Sequence, residues 1–537
     1  MGKKDKKKGK GAEKTASKTE KKALNKLKKD LAAKGEDDIE KLIAEFQARD
    51  KKLGVTAEEL CSQPSPRSGF TLCAHPDKDE LLLFGGEYFN GSKTMMYNDL
   101  YFYNIKKGQW SILQCSEKPP PRCGHQAVVV SQRGGQMWVF GGEFASPTRS
   151  NFYHYKDLWV FHLSEKRWEQ IKVPGTPSSR SGHRMVVSRK QIVLFGGFHE
   201  SIRDYKYFND VYIFDLESYA WTKIEPGGKG PSPRSGCQMA PLIDGRILLY
   251  GGYSREKVKK DVDKGTAYID MYYLQVDERI KPNKWKWVQV KPSGIPPSAR
   301  SGFSLAVASN NHAYAFGGVH DEDVDEESME SVFHNDLFLL ELEKGRWMPV
   351  KLHGKDARII KKKRRKEKEN DDADDEEEVI DENVITDTLE KTTIAEDSSA
   401  DCDVKTTEDS IFTVKIGPQN PQGVSSEGVS SSSNQIFPTE IFVPKARMTA
   451  SLVIKHGILY LYGGLYEEGD RQLTLSDFYS LDIHKLDEWR TIVPFSTELL
   501  EWIESEESES SDNDSDIADE NEEDADDEGI INAGHQC

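Results

Sequence analysis

The chain is poor in the residues that staple small folds or build metal centres. Its 537 residues hold only 7 cysteines, Cys61, Cys73, Cys115, Cys123, Cys237, Cys402 and Cys537, an odd and scattered set with no CxxC or Cys/His cluster. Neither a disulfide framework nor a zinc site is indicated, and reduced, intracellular thiols are the simple expectation. No apolar run reaches the 18 residues a spanning helix needs, and no apolar segment follows the basic N-terminus, so neither secretion nor membrane insertion is expected. The opening MGKKDK carries Lys6 where a myristoylation signal wants Ser or Thr. Nucleophile elbows, phosphate loops and HExxH pairs are missing, and the 13 histidines do not cluster.

Charge is present in excess but segregated. The formal net charge is −18. Residues 1–52 carry +8, KKKRRKEK at 361–368 carries +6, residues 369–409 carry −16, and residues 498–537 carry −17. The remainder is nearly neutral. Blocks of like charge repel themselves and stay solvated, so these four pieces are predicted to lie outside any packed core.

What the sequence has in quantity is repetition. A di-glycine recurs at Gly85–Gly86, Gly141–Gly142, Gly196–Gly197, Gly251–Gly252, Gly317–Gly318 and Gly463–Gly464. An apolar run precedes each pair: LLLF, MWVF, IVLF, ILLY, AYAF, LYLY. Sixteen to nineteen residues earlier stands an arginine: Arg67, Arg122, Arg180, Arg234, Arg300 and Arg447. After each pair comes an apolar run led by an acid, as in NDLYFYN, KDLWVFH and NDVYIFD, and then a tryptophan: Trp110, Trp168, Trp221, Trp285 or Trp287, Trp347, Trp489. A period near 50 built of short strands is the mark of a β-propeller blade. Each copy supplies four strands, and a blade with two uncovered faces is stable only when stacked in a ring.

These landmarks resemble the kelch repeat, over about residues 64–350 and 440–495. The expected fold is all-β: a six-bladed kelch β-propeller with a basic, partly helical extension at 1–60, blades one to five over 61–352, a disordered charged insertion at 353–438, blade six at 439–497 and an acidic disordered tail at 498–537. Whether an exchanged strand closes the ring is left open. The basic N-terminal run, the ring and the insertion ahead of the last blade together resemble one branch of that family.

The glycine pairs are expected to permit close approach between blades, and the tryptophans to fill the spaces between them. The arginines have two readings. They bridge blades, or their planar forks ring the channel mouth and receive a partner's acidic or extended segment, as arginines at this place do in peptide-binding kelch propellers. KARMTA in the sixth copy keeps Arg447 but loses Ser-Gly, which puts its turn in question. Turns before strand one and between strands two and three share a face. The variable loops leave from it: basic YSREKVKKDVDKG in blade four and acidic HDEDVDEESMES in blade five.

At the N-terminus Leu24, Leu27 and Leu31, then Ile39, Leu42, Ile43 and Phe46, recur at helical spacing, with Asp37 or Asp38 capping the second helix after Gly35. Thr56-Ala57-Glu58-Glu59 reads as a capping box opening a further helical turn. Kelch propellers include copper oxidases, but His125 and His183 read as repeat-packing residues rather than ligands. The expectation is a non-catalytic scaffold without metal or cofactor, cytoplasmic or nuclear, binding protein partners. Alternatives are an escort for basic, nucleic-acid-associated proteins through the acidic blocks, and a ubiquitin-ligase substrate adaptor. KKKRRKEK reads as a nuclear localisation signal or a nucleic-acid patch.

Overall fold

Each repeat folds as an antiparallel four-stranded sheet because its strands alternate with turns that only glycine or a polar residue tolerates. Blade two shows the pattern. Gln126–Val130, Gln136–Phe140, Leu158–His162 and Arg167–Ile171 pair in sequence order, innermost to outermost. The computed structural model describes residues 38–354 and 441–496, apart from short gaps at 53, 55, 202–203, 260–261, 278–283, 324–328 and 470. Within them the chain forms six such sheets, whose inner strands contact one another around a central channel. The basic run at 361–368 and the acidic blocks at 369–409 and 498–537 lie outside the described residues, as does the first predicted helix around Leu24–Leu31. His353 and Gly354 donate backbone bonds to Leu486 and Asp487, so blade six's packing begins before the insertion.

Among the described residues no strand is exchanged to close the ring. Blade one uses Thr71–Ala74 to Gln109–Gln114 and blade six Ser451–Lys455 to Arg490–Val493. The two meet through stacking: Trp110 lies 5.7 Å from Tyr462, and the Tyr462 hydroxyl donates to the Pro64 carbonyl at 3.0 Å. An extra outer strand, Ala57–Cys61, pairs antiparallel with blade one's own Gln109–Gln114. Here the structure corrects the capping-box expectation. Covering an open sheet edge with five paired residues outweighs the local helical preference of Thr56–Glu59.

Blades stack through the tryptophans. Each packs against the aromatic that ends strand two of the preceding blade: Trp168 on Phe84, Trp221 on Phe140, Trp287 on Phe195, Trp347 on Tyr250, Trp489 on Phe316, with centroids 4.9–5.7 Å apart. The ambiguity in blade four resolves to Trp287, which is buried, while Trp285 sits at the edge of the same cluster. A ring of six such contacts gives every blade the second face it lacks alone.

The glycine pairs close the same seams. Both members have positive φ in all six copies. At five of the six seams the second donates its N–H to the carbonyl of the next blade's arginine: Gly86 to Arg122, Gly142 to Arg180, Gly197 to Arg234 and Gly318 to Arg447, each at 2.9 Å, and Gly464 to Arg67 at 3.2 Å. The turn after the arginine also requires positive φ, and Gly69, Gly124, Gly182, Gly236 and Gly302 supply it. In blade six Thr449 stands there at φ 51° and still receives the bridge geometry, since Met448 pairs with Leu465 as Ser68 pairs with Glu87. The turn is kept at a cost in strain, because a β-branched residue in this region is an outlier. Thr449→Gly is therefore expected to raise stability by about 1 kcal/mol, read as a higher urea midpoint.

The helix Ile39–Lys51 is capped by Asp38, which accepts from the Glu40 N–H at 3.0 Å. Its stripe of Ile39, Leu42, Ile43 and Phe46 packs on Met96, Phe144, Phe152 and Tyr155. The helix thus covers the ribbon face over blades one and two. Asp50 anchors its end, buried beside Asn98 at 2.7 Å and Lys118 at 3.4 Å.

Candidate functional site

The arginines are not at the surface. Arg67, Arg122, Arg180 and Arg234 are 0 % exposed, Arg447 1 % and Arg300 5 %. Their expected role as a cationic rim receiving a partner is corrected by this burial. Nor do their side chains bridge blades. Each guanidinium ties the turn of its own blade to the first glycine's carbonyl and, in blades two to six, to the acid that leads strand three. Arg122 reaches the Gly141 carbonyl at 3.0 Å and both oxygens of Asp157 at 2.8 and 2.9 Å. Arg180 does the same with Gly196 and Asp210, and Arg447 with Gly463 and Asp477. Arg234 pairs with Asp270 and Arg300 with Asp336. Aromatic faces close over several of them, Tyr155 over Arg122 at 4.1 Å and Phe208 over Arg180 at 4.1 Å. Such a cation spends its charge-assisted bonds inside the blade and has none left for a ligand. Between blades it is the arginine's backbone carbonyl that acts, receiving the neighbour's glycine.

Sequence reasoning passed over the acids Asp157, Asp210, Asp270, Asp336 and Asp477 as partners. The signal was available: one acid opens each strand-three run, once per repeat, as often as the arginine. Blade one departs from the rule. Arg67 binds the Gly85 carbonyl and Ser65, and among the described residues it makes no ion pair.

His125 and His183 follow the arginine by three positions and are buried against Phe84 and Phe140, with centroids 5.3 Å apart. Desolvation, reinforced by the neighbouring Arg122, holds His125 down to about 3, and the same causes, with Arg180, hold His183 well below its ordinary value. Both rings are neutral in the fold and must charge on unfolding below pH 6.5. A histidine with a depressed native pKa contributes stability that is complete above its unfolded value and declines as pH falls from there toward 3. His125→Phe, which copies Phe70 and Phe303 of other blades, should flatten the loss of melting temperature between pH 6.5 and 4. An unchanged slope would contradict the assignment.

What stands on the face above the arginines is a crown of two-stranded ribbons, each extending the connection between strands two and three. Glu143–Ala145 pairs with Phe152–His154, Phe198–Ser201 with Asp204–Tyr207, Tyr253–Lys259 with Val262–Ala267, and Val319–Asp323 with Met329–Phe333. In blade six the two strands continue into the ribbon as single strands, Ile458–Glu468 against Arg471–Asp482, with a register shift between Tyr462 and Gly464. The ribbon tips mix aromatic rings with both signs of charge. Arg255 lies over the Tyr205 ring at 4.3 Å and beside Asp263 at 3.3 Å, and the Tyr205 hydroxyl donates to Asp263. Lys445 sits over Tyr466 at 4.2 Å. The helix Ile39–Lys51 occupies the blade-one and blade-two sector, leaving the ribbons of blades three to six uncovered by it.

Other chemistry is sparse. Among the described residues no group of three or more His, Cys, Asp or Glu converges as a metal site. Cys61, Cys73, Cys115, Cys123 and Cys237 are unpaired, and burial pushes the Cys73 thiol up to about 12 and Cys237 to about 11. No helix among the described residues is long and apolar enough to cross a membrane.

Comparison with known proteins agrees with this geometry. The family described as the FBX42 β-propeller domain matches residues 67–267. Kelch domain-containing protein 2 of Bos taurus is 26 % identical over 290 residues, 49 % of this chain and 65 % of that protein. An F-box/kelch-repeat protein of Arabidopsis thaliana is 29 % identical over 315 residues, 52 % of this chain and 61 % of its own. Host cell factor of Drosophila melanogaster is 29 % identical over 316 residues, 54 % of this chain but 19 % of that protein. The chain therefore spans less than two thirds of the length of these relatives, and the likeness is one of propellers. With six blades, their paired glycines, seam tryptophans and stapling arginines, the chain is a six-bladed β-propeller similar to the kelch-repeat propellers.

Proposed function

We propose that this protein is a non-catalytic interaction platform whose protein partner docks on the ribbon face, in the sector formed by blades three to six. The observation that carries this is the ribbon crown itself. Partly exposed rings and unlike charges stand together there on paired strands, the composition a binding surface uses. The kelch relatives that carry an F-box are consistent with a binding role. Recognition is by ribbon side chains rather than by the buried arginines. The face is the one the sequence pointed to, and the contacting residues are different.

The test is capture of partners from cell extract by wild-type protein and by the double variant Tyr205→Ala, Arg255→Glu. Both residues are partly exposed at ribbon tips, so the variant should keep its melting temperature and lose its partner. Undiminished capture by a folded variant would overturn the reading. Resemblance to the branch of kelch domain-containing protein 4 and its fungal relatives rests on the basic N-terminus and the insertion ahead of blade six. Action as an escort through the acidic blocks separates by experiment: it should collapse with moderate salt and with deletion of 498–537, whereas ribbon docking should survive that deletion.

A further inference from the structure

The inner strands place one side chain per blade at the same level of the central channel, four residues after each arginine. These are Thr71, Gln126, Arg184, Gln238, Ser304 and Ser451. Five reach forward to the third residue after the next blade's arginine. Arg184 Nε donates to the Cys237 carbonyl at 2.6 Å, Gln238 to Phe303 at 2.5 Å, Ser304 to Ala450, Ser451 to Phe70 at 3.3 Å, and Thr71 bonds the His125 ring at 3.0 Å. The result is a polar girdle, nearly continuous, around a channel of about 350 Å³.

Five members of the girdle are neutral. The sixth is a guanidinium, and it differs from the six stapling arginines in every respect that matters. It uses Nε alone for the girdle. Among the described residues it has no carboxylate within ion-pair distance, and its two terminal nitrogens donate to no described group. Burial at the channel wall pulls its proton affinity below the ordinary value, with no nearby acid to restore it. Arg184 is half-buried at the channel wall, so its charge is only partly hydrated and has no counter-charge among the described residues, and the girdle bond alone does not require a cation, since Gln238 makes the same bond with an amide.

We propose that the channel of this propeller is an anion site, in which Arg184 holds a small oxyanion against the polar girdle. The ligand class is a tetrahedral or carboxylate oxyanion of a few heavy atoms. Its size is set by the channel, and its orientation by the two free donors of the planar fork with neighbouring amide and hydroxyl groups as secondary partners. The site is independent of the ribbon face and of its partner.

Equilibrium dialysis of the full chain against inorganic phosphate and, separately, acetate, at constant ionic strength, tests it. Wild type should bind at least one of them saturably, near one per chain, and its unfolding midpoint should rise with that anion. Arg184→Gln, which gives blade three the residue of blade four, should keep the girdle and lose at least tenfold in affinity. Arg184→Thr, the residue of blade one, serves the same purpose should the amide fail to fold. Phosphate binding alone marks a tetrahedral ligand and acetate binding alone a carboxylate; either supports the proposal if the variant loses it. Absence of saturable binding by wild type, or equal binding by a folded variant, overturns it.

Discussion

Asp477→Ala should lower stability by about 3–5 kcal/mol, the cost of leaving a buried cation unpaired. The two oxygens of Asp477 meet Arg447 at 2.6 and 2.7 Å, and both side chains are fully buried. Removing the acid strands a guanidinium already out of water, with only the Gly463 and Lys445 carbonyls to accept from it. The Tyr479 hydroxyl loses its acceptor at the same time. Asp99→Ala in blade one provides the comparison. Asp99 holds the same place in the repeat, but Arg67 makes no ion pair among the described residues, so the loss there should be well under half as large. Urea unfolding followed by tryptophan fluorescence reads both, because the indoles sit in the seams. Equal losses would mean that the acid matters for something other than the pair.

That contrast also shows what was legible in the sequence. The di-glycine, the seam tryptophan and the blade count could be read because each is fixed by a backbone or volume requirement that tolerates few residues. The arginine was misplaced for the opposite reason. A turn beside Ser and Gly looks like surface, and one strand of sequence does not show that an acid some thirty residues on folds back over it. Asp157 and Asp210 recur with the same period as Arg122 and Arg180, so their pairing was open to a reading of the repeat as a set of coupled positions. Arg184 was harder. It breaks the repeat rather than following it, and its place in the channel emerges only when six inner strands are laid side by side. The Ala57–Cys61 strand was illegible locally, because its conformation is dictated by the edge it covers.

Gly196→Val is the other substitution expected to act strongly, and it probes the seam rather than the staple. Gly196 has φ 68°, and a Cβ there would stand 2.7 Å from the Arg234 carbonyl oxygen of the next blade. That contact is to backbone, which cannot rotate aside, and the same carbonyl receives the Gly197 N–H at 2.9 Å. A β-branched residue would add about 1–3 kcal/mol of backbone strain to about 1–3 kcal/mol of overpacking. Relief could come only by parting blades three and four, which would also loosen Phe195 from Trp287. The expected result is a large fall in the urea midpoint together with a red shift of tryptophan emission before the main transition. Gly54→Val is the control: it too has positive φ, at 73°, but a Cβ there meets nothing within 4 Å. It should show the strain without the seam opening. A variant at Gly196 no less stable than the one at Gly54 would mean that the blades are not held in register by their paired glycines.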